Sequence, residues 1–167
     1  RLAALEEAGK TVVVLVRGGK PQALFALADI VRSESRDVVA RLKARGVQSI
    51  MMTGDAEGVA RSVATELGLD EYFAQVLPDQ KAARVKELRA RGLKVAMVGD
   101  GVNDAPALAA ADVGIALGTG TDVAIESAGI TLLRGDLMGI VEARRLSLAT
   151  MRNIRQNLFF AFVYNSA

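Results

Sequence analysis

The sequence contains no cysteine, no histidine and no tryptophan, and only three prolines in 167 residues. No disulfide can staple such a chain and no zinc cluster of the usual ligands can form. Neither a Ser/His nor a Cys/His catalytic pair is available. Any chemistry must run on carboxylates, lysines, hydroxyls and backbone amides. An excess of charge is also lacking: 21 Lys and Arg against 19 Asp and Glu leave a net +2. That balance gives no reason to expect a nucleic-acid surface, whose footprint is a strong basic excess. Long apolar runs are missing as well, since Leu158 to Tyr164 is seven residues where a membrane span needs about 20. The first residues, Arg1 to Leu5, lack the basic start and apolar stretch of a signal peptide. Both ends read as cut from a longer chain, although a buried C-terminal core helix would also account for the last run.

What is present points to a folded α/β unit. The composition is 51% hydrophobic and 24% charged, which excludes a disordered tail, and 16 glycines among the apolar runs exclude a coiled coil. The length suits about one domain, or one domain with a piece of another. Short β-branched runs alternate with amphipathic stretches, the pattern of a doubly wound parallel sheet. Strands are predicted at Val12 to Val16, Ala23 to Leu27, Gln48 to Met52, Phe73 to Val76, Lys94 to Val98, Val113 to Leu117 and Ile130 to Leu133. Between them Val59, Ala60, Val63, Ala64 and Leu67 share one helical face, and Gly68 follows where a left-handed cap is wanted. The stretches Arg36 to Arg45 and Lys81 to Arg91 end in the same way, at Gly46 and Gly92. The first 28 residues differ: two strands joined by Arg17 to Pro21 read as an antiparallel hairpin of a neighbouring module. A boundary is therefore expected at Asp29.

In a doubly wound sheet the ligand lies beyond the carboxyl ends of the strands. Thr53-Gly54-Asp55 follows one predicted strand and Gly99-Asp100-Gly101-Val102-Asn103-Asp104 another, while Leu77 to Lys81 opens a helix. A hydroxyl beside a glycine at a helix start suits an anion, but an ordinary N-cap looks the same. Asp100 and Asp104 suit magnesium, which takes one or two carboxylates with water and phosphate oxygens; a capped glycine-rich turn is the plainer alternative. Lys81 sits unfavourably in the dipole of its helix, so a phosphoryl group is one reason for it and simple solvation another.

Taken together, Met97 to Leu108 resembles the hinge signature of P-type cation-transporting ATPases, and Thr53-Gly54-Asp55 and Pro78 to Lys81 match that family's other phosphorylation-domain motifs in order. The continuation Ala111 to Ala124 is similar to the heavy-metal branch. The resemblance implies a haloacid-dehalogenase-like phosphorylation domain that forms an aspartyl phosphate from ATP and hydrolyses it. Position by position it gives Thr53, Gly54 and Asp55 to the phosphoryl pocket, Lys81 to charge neutralisation, and Asp100 with Asp104 to Mg2+. Asn103 and Asp104 would hold the phosphoryl group and metal shell. Asp29 and Arg32 would form the hinge to the nucleotide-binding module, whose last two strands would be the hairpin. The implied division is 1–28 for the end of that module, 29–143 for the phosphorylation domain, and 144–167 for a stalk and the start of a membrane helix. One departure matters: the family's nucleophile lies in Asp-Lys-Thr-Gly-Thr, and no such string occurs here. It is expected upstream of Arg1, in the rest of the same polypeptide, and this chain alone is expected to be inactive.

Arginines 144, 145, 152 and 155 ahead of the apolar run accord with a cytoplasmic approach to a lipid bilayer. Tyr164 and Asn165 resemble the copper(I)-exporting branch, in which they would lie on the ion path. The soft ligands copper(I) prefers must come from elsewhere, because the chain has no Cys and five Met. Readings kept open are a zinc or cadmium transporter of the same family, a soluble haloacid-dehalogenase-like phosphatase, and a non-catalytic module that keeps only the fold.

Overall fold

A computed structural model describes residues 5, 10–27 and 31–166. Strands β1 (Thr11–Arg17) and β2 (Lys20–Leu27) pair antiparallel, from Thr11 opposite Leu27 to Arg17 opposite Lys20, with a bulge between Leu15 and Val16. Gly18 and Gly19 turn the hairpin at φ 58° and 72°, conformations that cost residues with a Cβ. Partners in such a ladder share a face, so Val13, Leu15 and Phe25 form one apolar side. All three are exposed. The hairpin therefore appears as expected. Asp29 falls outside the described residues.

The remainder alternates helix and strand. Helix α1 (Ser33–Lys43) leads to β3 (Ile50–Met52), α2 (Glu57–Leu67), β4 (Glu71–Phe73) and α3 (Pro78–Ala90). Strand β5 (Ala96–Gly99) passes through a 3-10 turn, Val102–Asp104, into α4 (Ala105–Ala110), and is followed by β6 (Val113–Leu117), α5 (Asp122–Glu126) and β7 (Ile130–Leu132). The long α6 (Met138–Ser166) closes the chain. All non-hairpin strand pairs are parallel, in two sets: β3 with β4, and β5-β6-β7. Among the described residues β3 and β5 each keep one unpaired edge.

The expected helix ends hold: α2 stops at Gly68 with φ 68°, and Gly46 and Gly92 follow α1 and α3 at 71° and 83°. Three strands are displaced from their predicted positions. The ladder begins at Ala96 rather than Lys94, because the Val95 N–H donates to the Asp112 carboxylate at 2.9 Å instead of to a strand. The Phe73 to Val76 expectation is overtaken because Gln75 turns to φ 53° and the Val76 N–H donates to the Thr53 carbonyl at 2.9 Å. Gln48 and Ser49 precede β3 as irregular chain; Ser49 pairs with Asp70, both backbone to backbone and through the Asp70 carboxylate.

The core lies where α3, α4 and α5 meet the sheet. Val85, Met97, Ala107, Leu108 and Ala124 cluster there, with Met52, Val95, Ala110 and Ala111 against them. Helix α1 packs on α2 and on the start of α6, burying Val38, Ala60, Ala64 and Val141. Helix α6 spans 29 residues, about 43 Å at 1.5 Å per residue, and every described residue from Arg145 onward is exposed. No helix of the described residues is long and apolar enough to cross a membrane.

Candidate active site

Two turns that follow parallel strands, and the helix between them, place the predicted residues. After β3 the chain forms Thr53-Gly54-Asp55. The Thr53 hydroxyl donates to the Asp55 carboxylate at 2.6 Å and accepts from the Asp55 N–H at 3.2 Å. The backbone of this loop is held from the far side, since the Thr53 N–H donates to the Phe73 carbonyl at 3.0 Å and the Gln75 and Val76 N–H groups donate to Asp55 and Thr53 carbonyls at 2.9 Å. Sequence reasoning missed Gln75, whose left-handed backbone aims those two donors at the loop. No residue type announces it, because glutamine has no preference for that conformation.

The same segment runs directly into α3. Pro78 supplies a preset φ at the helix start, and the Gln80 side chain accepts the Leu77 N–H at 3.3 Å. The first turn then presents Lys81, whose Nζ donates to Asp104 Oδ1 at 2.7 Å with both side chains largely buried, at 17% and 12% exposed. This pair offsets the adverse dipole at Lys81. The other carboxylate oxygen of Asp104 accepts, at 3.4 Å each, the N–H groups of Asp100 and Gly101. Gly99 is required by the same closeness: a Cβ there would lie 2.5 Å from the Asp104 Cβ. Lys81, Gly99, Asp100, Gly101 and Asp104 therefore form one unit.

The far end of α3 is braced. Arg89 donates to the Ala110 carbonyl at 2.8 Å and to Asp112 Oδ1 at 3.2 Å, with Lys94 at 3.6 Å from the same oxygen. The Val95 N–H and, after it, the charges of Arg89 and Lys94 hold the Asp112 carboxyl below the usual carboxylate range. The brace fixes α3 relative to β5 and β6, and so fixes where Lys81 stands. A second loop, Gly118 to Thr121, also escaped notice as part of the site. The Thr121 N–H donates to the Asp100 carbonyl at 2.9 Å, and Gly120 lies against the Asp100 backbone. The doubled Gly-Thr at 118–121 was its signal in the sequence.

The remaining predicted residues lie apart. Asn103 is exposed on the 3-10 turn beside Asp104. Arg32 holds the N-cap position of α1 with its side chain in solvent. Tyr164 is 86% exposed and Asn165 donates to the Ala161 carbonyl at 2.8 Å, near the far end of α6. No group of three His, Cys, Asp or Glu converges as a metal cage among the described residues. Two carboxylates, one exposed and one charge-compensated by lysine, nonetheless fit Mg2+, which keeps waters and phosphate oxygens as its other ligands. Chemically the arrangement offers a hydroxyl-bearing loop, a fixed ammonium and two carboxylates four residues apart.

The haloacid dehalogenase-like hydrolase family matches over residues 1–112. The chain is 57% identical over 162 residues to a probable copper-transporting ATPase, PacS, of Synechococcus elongatus, covering 97% of this chain and 22% of that protein. It is 59% identical over 163 residues to a copper-transporting P-type ATPase of Rhizobium leguminosarum, covering 98% and 19%. A silver-exporting P-type ATPase of Salmonella typhimurium matches at 56%, covering 95% and 19%. The chain thus spans about a fifth of the length of these relatives. Among solved structures, a zinc-transporting PIB-type ATPase in its E2.Pi state aligns with a TM-score of 0.83 at 44% identity, over 93% of this chain and 26% of that one.

Proposed function

The chain belongs to the haloacid dehalogenase-like hydrolase family, and from that premise we propose that it is the phosphorylation-domain segment of a copper(I)-exporting P-type ATPase. The observation that carries the reading is the unit of Lys81, Asp104 and Asp100, with Lys81 on a helix that follows directly from the segment bonded to the Thr53 loop through the Val76 N–H. Phosphoryl transfer needs positioning and charge neutralisation more than covalent assistance from the surroundings. Lys81 supplies a held positive charge, and the Thr53 loop supplies a hydroxyl and the Gly54 N–H, the Thr53 and Asp55 N–H groups being bonded within the chain. Packing within the chain does not demand glycine at position 54, where a Cβ would meet only the Val76 carbonyl at 3.8 Å; an anion approaching the loop backbone does. Asp100 and Asp104 would hold Mg2+, which when bound neutralises charge on the transferring phosphoryl group.

The nucleophile comes from another part of the polypeptide. In the complete protein an aspartate oxygen bonds to the γ-phosphorus of ATP as the bond to the bridging oxygen breaks, and ADP leaves. The free edges of β3 and β5 support this, because a strand joining either edge would end beside Thr53 or Asp100. The hairpin, too exposed to be stable alone, is the end of a nucleotide-binding module, with Asp29 and Arg32 at the hinge. Residues 144–167 form the cytoplasmic stalk and the start of a membrane helix, with Tyr164 and Asn165 on the ion path. The partners of the whole protein are ATP, copper(I) and the bilayer.

Identity of 50% or more to copper and silver transporters favours copper(I). The 44% identity to a zinc-transporting structure keeps zinc as the second reading. The test is ATP labelling of the full-length protein. An acid-stable phosphoenzyme is expected, lost in Asp100→Ala, with turnover raised by copper(I) or silver(I). Stimulation by zinc(II) alone would select the second reading, and undiminished labelling of Asp100→Ala would overturn the assignment.

A further inference from the structure

We propose that the loop Gly118 to Thr121 is a positioning clamp for Asp100, with Gly120 its critical residue. The inference rests on the functional reading above and extends it to residues outside the turn that carries the carboxylates. Gly120 lies so close to Asp100 that a Cβ would sit 2.9 Å from the Asp100 Cα and would overlap the Asp100 carbonyl oxygen. It would also meet the Leu117 carbonyl at 2.9 Å. All three obstacles are backbone, so none can swing aside as a flexible side chain would. From the next residue the Thr121 N–H donates to the Asp100 carbonyl at 2.9 Å, while its hydroxyl accepts the Ala124 N–H at 3.4 Å and caps α5. The loop is held equally firmly from behind. The Gly118 N–H donates to the Leu132 carbonyl at 2.7 Å, a Cβ on Gly118 would lie 2.7 Å from the Leu133 Cα, and one on Gly135 would lie 2.8 Å from the Thr119 hydroxyl.

Asp100 needs such a support. Its carboxylate is on an exposed turn, whereas Asp104 is buried and pinned by Lys81. The hydrogen bonds that Asp104 accepts from the Asp100 and Gly101 N–H groups are long, at 3.4 Å each. The contact from Gly120 and Thr121 presses on the opposite, carbonyl side of the same residue. Pushing Asp100 outward by even a few tenths of an ångström would separate the two carboxylates as Mg2+ ligands without touching Lys81 or Thr53.

The test uses the full-length protein. Gly120→Ala is expected to raise the Mg2+ concentration for half-maximal ATP labelling about tenfold, the lower end of the cost of disturbing an outer partner of a metal site. Labelling should recover at high Mg2+, with the ATP requirement at saturating Mg2+ unchanged. Binding of Mn2+ alone, read by electron paramagnetic resonance without turnover, should weaken by a similar factor. Thr121→Pro suits the local φ of −77°, but it replaces the N–H that reaches the Asp100 carbonyl at 2.9 Å with a ring carbon that crowds that oxygen, and it removes the cap. It should shift both measurements in the same direction by at least as much, whereas Thr121→Ser should shift neither. Gly129→Ala, where a Cβ would meet only the Gly114 carbonyl at 4.0 Å, serves as the neutral control. If wild type is labelled but folded Gly120→Ala and Thr121→Pro keep wild-type Mg2+ and Mn2+ dependence, the clamp is refuted. Loss of fold in both variants would equally refute it in favour of a purely structural loop. Absence of labelling in wild type would instead strike the functional reading itself.

Discussion

Val85 on α3 and Phe159 on α6 both belong to helices with apolar residues at close intervals, yet Val85 is fully buried and Phe159 is 63% exposed. On α3 the two large apolar side chains, Val85 and Leu88, are both buried, and the polar groups at either end, Lys81 and Arg89, are held by carboxylates from other elements. Beyond Arg145 nothing in the described residues packs on α6, so Leu146, Ile154, Phe160 and Tyr164 stand in solvent. The hairpin repeats the second situation with Val13, Leu15 and Phe25. Hydrophobicity states what a residue prefers; burial depends on whether the chain supplies a second surface. The candidate site is built where that surface exists, and the unpartnered regions are those proposed to meet the membrane and the nucleotide-binding module.

That contrast can be broken or sharpened by measurement. The largest effect belongs to the site: Asp100→Ala is expected to abolish phosphoenzyme in the full-length protein, while Phe159→Ser leaves labelling measurable, as read by acid-stable incorporation from ATP. Next come paired stability tests by urea denaturation of the 167-residue chain. Leu108→Ala, at a site only 2% exposed, should cost about 3 kcal/mol, whereas Phe159→Ser should stay within about 0.5 kcal/mol. Equal losses would mean that α6 is packed in solution. Lys81→Ala leaves the Asp104 charge largely buried and unpaired, and should cost about 2 kcal/mol, less than a fully buried pair because some water reaches it. The smallest effect is on pH dependence. Folding lowers the pKa of Asp112, so its contribution is present above its unfolded value of about 4 and is lost as the pH falls through the lowered one. Asp112→Asn should therefore flatten the loss of stability on acidification below about pH 5, followed by circular dichroism.

Much of the fold was legible because short-range physics wrote it. The segment Val113 to Leu117 is a strand end to end as expected, and Gly46, Gly68 and Gly92 cap their helices from positive φ. The misplaced boundaries have long-range causes. Val95 leaves the ladder for a carboxylate 17 residues away, and Gln75 takes a left-handed turn so that its own and the next N–H reach the Thr53 loop. Site residues followed the same division. Lys81, Asp100 and Asp104 were readable as types that suit a phosphoryl group. Gln75 was not, and Gly120 was marked only by the doubled Gly-Thr at 118–121, since the contribution of both is to backbone placement.

By itself the sequence determined the alternation of strands and helices, the helix ends and the chemical inventory, which lacks histidine and cysteine and keeps carboxylates and a hydroxyl after strand ends and a lysine at a helix start. These follow from rules that act over a few residues, such as side-chain period, backbone freedom and charge. Only the tertiary structure decided that Lys81 meets Asp104, that Gly120 presses on Asp100, and that the two parallel strand sets leave free edges. Those outcomes depend on contacts between segments distant along the chain, where the closeness of packed backbones selects among arrangements that local preference leaves equal.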